Sequence, residues 1–278
     1  MDRFDRTRAA ADSFLAKIGQ KPLVMGILNV TPDSFSDGGK FLSPESALAQ
    51  ARVMAQAGAD ILDLGAESTR PGFAPVSAEE EWARLERILA PLIGETSRPL
   101  SIDTTKSVIA RRALALGAAL INDVSGLRGD PAMAQTAAES GAALVIMHSR
   151  AEVDAGLDIV ADMTAFFGQS LALAAQAGVE RRKILLDPGI GFGKSLAQNL
   201  RALAATARLR KKFELPIVIG ASRKSFLGAL TGAATQDRLA ATLAANLAGF
   251  TRGVAVFRVH DVAEHVAALR IWSEIDRA

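Results

Sequence analysis

From residue 23 to the end of the chain, short apolar runs alternate with longer stretches in which apolar residues recur at helical spacing. A run too short for a helix and bounded by turn residues reads as a buried strand. Strand alternating with amphipathic helix is the rhythm of a parallel sheet covered by its own crossovers. The runs at 23–28, 61–64, 100–102, 120–121, 144–147, 184–186, 217–219 and 254–257 are the candidate strands. Helices rich in Ala and Leu are expected at 43–57, 78–93, 106–116 and 239–250. The joins Gly58-Ala59 and Gly117-Ala118 share a pattern in which glycine takes the left-handed position that closes a helix.

Each apolar run leads into polar chemistry: Asn29, Glu67, Asp103, Asn122, His148, Asp187, Ser222 with Lys224, and Arg258 with His260. One polar strand end is simply a wet loop. Eight in succession, on strands that all run the same way, put these side chains on one face, where β/α barrels build their active sites. The expected fold is α/β, an eight-stranded parallel β/α (TIM) barrel, with a doubly wound open sheet as the alternative.

The length of 278 residues sits a little above the roughly 250 of one complete barrel. Residues 1–20 read as a short amphipathic extension that plugs or flanks a barrel domain at 21–278. Asp2, Arg3, Asp5, Arg6 and Arg8 break up any secretion signal there, and no later apolar run reaches the ~20 residues that span a bilayer. With a net charge of +2 there is no broad basic face for nucleic acid, and zero cysteines exclude disulfides and thiolate metal sites. The composition fits a cytoplasmic protein without membrane or nucleic-acid partners.

Among the strand-end loops, residues 187–195 run Asp-Pro-Gly-Ile-Gly-Phe-Gly-Lys-Ser and invite comparison with a phosphate-binding loop. The spacing refuses it: a P-loop needs glycine where Pro188 stands, and a dinucleotide fingerprint needs its third glycine one residue beyond Gly193. These glycines instead let backbone approach a flat ligand. Arg70 beside Thr69 and Pro71, and the cations Arg223, Lys224, Arg258 and His260 near the last two strands, suit an anionic, phosphorylated substrate.

Taken together, 25–39, 67–72, 101–105, 121–126, 187–194, 222–226 and 258–262 closely resemble, in order, the motifs of the dihydropteroate synthases. These are folate-pathway enzymes that join p-aminobenzoate to a pterin diphosphate. The resemblance implies that Asp103, Asn122 and Asp187 hydrogen-bond the pterin, with Lys224 on its carbonyl side and Met147 and Phe192 in apolar contact with the rings. It places Arg258 and His260 on the diphosphate, Thr69 on the pterin substrate, and Asn29 on a magnesium ion (Mg2+). Phe35, Thr69, Arg70, Pro71 and Ser225 would form the p-aminobenzoate pocket. Asp103, Asp187, Lys224 and Arg258 are the expected catalytic set for a dissociative substitution.

The resemblance also implies a homodimer through helices near the carboxyl end, and ordinary sulfonamide inhibition, because the first two loops keep the family pattern. One departure is Ser149-Arg150-Ala151-Glu152 after His148, which leaves the shape of the fifth loop open. A pterin-dependent methyltransferase domain and a non-catalytic pterin-binding paralogue are the alternatives. Residues 31–35 and 69–72, with Arg258 and His260, argue against the first, and the complete catalytic set argues against the second.

Overall fold

The computed structural model describes residues 2–30, 44–67 and 76–278. Its strands are β1 (Leu23–Asn29), β2 (Ile61–Gly65), β3 (Leu100–Asp103), β4 (Leu120–Asp123), β5 (Ala143–Met147), β6 (Ile184–Asp187), β7 (Val218–Ile219) and β8 (Val256–Val259). All pair in parallel, in the order β6-β5-β4-β3-β2-β1-β8-β7. The remaining seam closes where Leu186 N–H donates to the Pro216 carbonyl at 3.0 Å and Leu186 bridges Ile217 in parallel. The result is the eight-stranded β/α barrel that the hydrophobic rhythm predicts.

The helices are α1 (Asp5–Leu15), α2 (Pro44–Gln56), α3 (Ala78–Glu95), α4 (Ser107–Leu116), α5 (Met133–Ser140), α6 (Ile159–Gln176), α7 (Leu196–Ala204), α8 (Thr206–Phe213), α9 (Ser225–Thr231), α10 (Leu239–Phe250) and α11 (Val262–Arg277). Local chemistry fixes their ends. Ser77 caps α3 by accepting from Glu80 N–H at 3.1 Å, and Ser195 with Gln198 forms a reciprocal capping box on α7. Gly117 closes α4 at φ 120°, a backbone region that side chains with a Cβ rarely adopt.

Strand alternation divides the buried residues into two cores. Leu28, Leu62, Leu64, Ile102, Ile121, Ile146, Leu186 and Phe257 face outward with Leu85, Leu89 and Ile109 of the helices. Leu23, Met25, Ile61, Leu120, Val145, Leu185, Val218 and Val256 form a separate inner cluster, joined by Ala11 and Phe14 of α1. Helix α1 therefore closes the amino-terminal mouth of the barrel, tied down by Thr7 Oγ1 donating to the Leu114 carbonyl at 2.6 Å. Full burial of Phe14 contributes about 1.5–3 kcal/mol.

The inner face changes character along each strand. Two residues beyond the apolar plug, Ile61 gives way to Asp63, Leu120 to Asn122, Leu185 to Asp187 and Val256 to Arg258. The strands consequently run further than their apolar runs, because backbone pairing continues through these polar positions. The eighth strand shows this most clearly: predicted at 254–257, it lies at Val256–Val259 and carries Arg258 inside the ladder.

Candidate active site

At the carboxyl end of the barrel, Asn29, Gly65, Asp103 and Asn122 stand in one register line across β1 to β4. A side chain at Gly65 would meet Asp103 Cβ at 3.5 Å and Asn29 Oδ1 at 3.6 Å. The glycine is what lets the carboxylate and the amide approach each other.

Arg258 enters from β8 and bridges two carboxylates, with Nε donating to Asp63 Oδ2 at 2.6 Å and Nη2 to Asp103 Oδ2 at 2.7 Å. Asn122 Nδ2 donates to the same Asp63 oxygen at 3.2 Å. Burial works against the charge on Arg258, yet Asp63 and Asp103 hold its pKa above the usual guanidinium value. Burial pushes the Asp103 carboxyl up to about 7 against the pull of Arg258. Asp103 Oδ1 is buried without a hydrogen-bond partner among the described residues, an acceptor with capacity to spare.

Asp187, the last residue of β6, lies level with Met147 of β5. Its Oδ1 accepts from Gly189 N–H at 2.7 Å, and burial raises its pKa while Lys224 opposes the rise. Lys224 precedes α9, donates to the Ile190 carbonyl and holds its ammonium 4.4 Å from the Phe192 ring centroid. Burial draws the Lys224 pKa down to about 8, with Asp187 pulling the other way. His260 is positioned by Ser222, whose hydroxyl accepts from His260 N–H at 3.2 Å and lies 2.9 Å from Nδ1. When that hydroxyl donates to Nδ1, Nε2 carries the ring proton and is a donor suited to an anion.

The structure thus brings Asn29, Asp103, Asn122 and Arg258 together, by strand register and through Asp63, with Asp187, Lys224, Phe192 and Met147 along the neighbouring strands and loops. Ser225 is the exposed first residue of α9. Phe35, Thr69, Arg70 and Pro71 lie outside the described residues.

Two strand-end positions serve the scaffold instead. His148 directly follows the inward Met147, so alternation turns it outward. Its Nε2 lies 2.9 Å from Asp162 Oδ2, its ring packs edge-on against Phe166, and burial lowers its pKa to about 4. Glu67 accepts from Val76 N–H at 3.0 Å and pairs with Lys106 at 2.5 Å, which also meets the buried Glu81 at 2.7 Å. The unusual fifth loop packs on the sixth: a Cβ at Gly193 would come within 2.3 Å of the Arg150 carbonyl, while Arg150 Nη1 reaches Asp162 at 3.0 Å.

Asp63 is the functional neighbour that strand-end reasoning passes over. Its signal is a carboxylate inside the apolar run Ile-Leu-Asp-Leu-Gly, on the same strand face as Ile61, where only a paired charge is tolerated.

A model of the pterin binding enzyme family matches residues 25–260. The dihydropteroate synthase of Bacillus subtilis (strain 168) is 42% identical over 243 residues, covering 87% of this chain and 85% of the relative. Among solved structures, dihydropteroate synthase from Clostridium difficile, determined in the presence of pteroic acid, superposes with a TM-score of 0.89 at 42% identity, covering 94% of this chain and 99% of that one. The Yersinia pestis enzyme, determined with a sulfonamide drug complex, superposes with a TM-score of 0.88 at 39% identity, covering 93% and 96%. The chain belongs to the pterin binding enzyme family, among the dihydropteroate synthases.

Proposed function

We propose that this chain condenses (7,8-dihydropterin-6-yl)methyl diphosphate with p-aminobenzoate, forming 7,8-dihydropteroate and releasing diphosphate. The observation that carries the reading is the half-buried guanidinium of Arg258 held between the buried carboxylates of Asp63 and Asp103, within the electrostatic reach of Asp187. Acceptors for a pterin edge and a cation for its leaving group thus stand together at the carboxyl end of the barrel.

In this reading Asp103 and Asp187 accept N–H donors of the 2-amino-4-oxo ring, and Asn122, able to donate and accept, completes the edge. Lys224 addresses the ring carbonyl side, and Met147 and Phe192 cover the ring faces. As the bond between the methylene carbon and the diphosphate oxygen breaks, positive charge spreads over the dihydropterin. The two carboxylates stabilise that cation, while Arg258 and His260 stabilise the departing diphosphate. The arylamine then attacks the methylene carbon and loses a proton. Its pocket is assigned to Ser225 with Phe35, Thr69, Arg70 and Pro71.

The donor set fits a magnesium ion of the substrate-bridging kind. Among the described residues no group of three His, Asp or Glu is placed to hold a metal. The hard amide oxygen of Asn29, however, lies over Gly65 beside Asp103, and magnesium commonly takes its other ligands from water and phosphate. Bound there, it would supply charge neutralisation to the diphosphate.

Two features support the finer expectations. None of the described helices is long and apolar enough to cross a membrane, which fits a cytoplasmic enzyme. The half-exposed Leu239, Leu243, Leu247 and Phe250 of α10 offer an apolar face for a homodimer.

The test is incubation with both substrates and magnesium, with dihydropteroate and diphosphate measured together. Formation of both in equal amounts supports the reading, and the absence of product overturns it. Diphosphate release, or scrambling of its bridging oxygen, without the arylamine supports dissociation, and a strict requirement for the arylamine contradicts it. A sulfonamide should compete with p-aminobenzoate.

A further inference from the structure

The sixth loop, between Asp187 and α7, is held by two lysines with different surroundings. Lys194 is buried, and its three donors are directed at the carbonyls of Gly189 at 2.8 Å, Phe192 at 3.2 Å and His148 at 3.4 Å. Lys224 takes the intervening carbonyl of Ile190 and faces the Phe192 ring. Asn199 completes the frame: its Oδ1 accepts from Gly191 N–H at 2.6 Å and its Nδ2 donates to the Lys194 carbonyl at 3.1 Å. A Cβ on Gly191 would come within 2.8 Å of Lys224 Cδ, so this loop backbone is the surface on which the Lys224 side chain rests.

A buried ammonium is costly unless each of its protons has an acceptor. Burial draws the Lys194 pKa down to about 7, and Asp187 favours the charged form. An apolar side chain could fill the same volume without that cost. What it could not do is turn the carbonyls of Gly189 and Phe192 inward, leaving the Ile190 carbonyl and the Phe192 ring for Lys224.

We propose that Lys194 is a positioning residue for the pterin site, acting through the sixth loop on Phe192 and Lys224. The proposal rests on the reading of this site as a pterin diphosphate site, and it assigns the role to a residue whose ammonium is committed to loop carbonyls.

The test compares wild type with Lys194→Met and Lys194→Gln, using 6-hydroxymethylpterin fluorescence for binding and steady-state rates for turnover. Lys194→Met should weaken pterin binding about tenfold and leave KM for p-aminobenzoate at saturating pterin within threefold. Lys194→Gln, which restores two N–H donors without charge, should recover part of the loss. A folded Lys194→Met that binds pterin within threefold of wild type overturns the proposal. If that variant does not fold, Lys194→Gln decides: pterin binding indistinguishable from wild type overturns the proposal. Wild type that fails to bind the pterin would instead overturn the reading of the cavity.

Discussion

Asp63 and Arg258, far apart in the chain, meet inside the barrel at 2.6 Å, and the same carboxylate oxygen of Asp63 also receives Asn122. One buried charge on β2 therefore aims a cation from β8 and an amide from β4.

Replacing it tests that alignment. Asp63→Asn keeps the volume but presents an amide where the guanidinium needs an anion, so Arg258 should drift. Displacements of about 1 Å cost on the order of 100-fold in rate, and kcat/KM for the pterin diphosphate should fall by that order. Breaking a buried ion pair should also lower stability by about 3–5 kcal/mol, read from denaturant midpoints.

Activity should be confined to a narrow pH window. In the proposed mechanism two groups set that window: Asp103 must be ionised to stabilise the cation, and burial has pushed it up to about 7. Lys224 must be protonated, and burial has pulled it down to about 8. The kcat/KM profile, which reports the free enzyme, should fall tenfold per pH unit below about 7 and above about 8. A flat profile from pH 6 to 9 would contradict both roles.

The sixth loop tolerates no side chain at its first glycine. Gly189 sits at φ 63°, and a Cβ there would lie 1.8 Å from the His148 carbonyl. Gly189→Ala should lose at least about 1–3 kcal/mol from backbone strain alone, with more from the clash. Comparing its unfolding midpoint with that of Gly178→Ala, which has left-handed backbone but nothing within 4 Å, separates the two contributions.

His148 should contribute to acid lability. Burial holds its folded pKa at about 4, against an ordinary value of 6.5. The unfolded chain therefore takes up a proton that the folded protein refuses. The stabilisation is fully present above pH 6.5 and is lost as pH falls from there to about 4. The gap corresponds to about 3 kcal/mol. Thermal melts of wild type and His148→Gln should converge across that window, and parallel curves would assign the lability elsewhere.

Much of this was legible in the sequence because barrel strands are short, apolar and followed by the residues that matter. Asn29, Asp103, Asn122, Asp187 and Arg258 were found by their place at the ends of apolar runs, and the structure puts each within the last two residues of its strand. His148 misled because its position looks the same in one dimension. Only the pleat, which turns it away from Met147, distinguishes it. Asp63 and Lys194 were passed over for a different reason: their roles depend on partners from distant strands and loops that no local pattern announces. The place of α1 was foreseen only as a choice between plugging and flanking, and Phe14 in the inner cluster decides for the plug.

The most direct measurement is a crystal structure with a bound dihydropterin or pterin analogue. The pyrimidine edge should lie against Asp103, Asn122 and Asp187, with Lys224 at the ring and Arg258 directed to the diphosphate side. A ligand bound elsewhere, or in this cavity without contacting those three acceptors, would contradict the account.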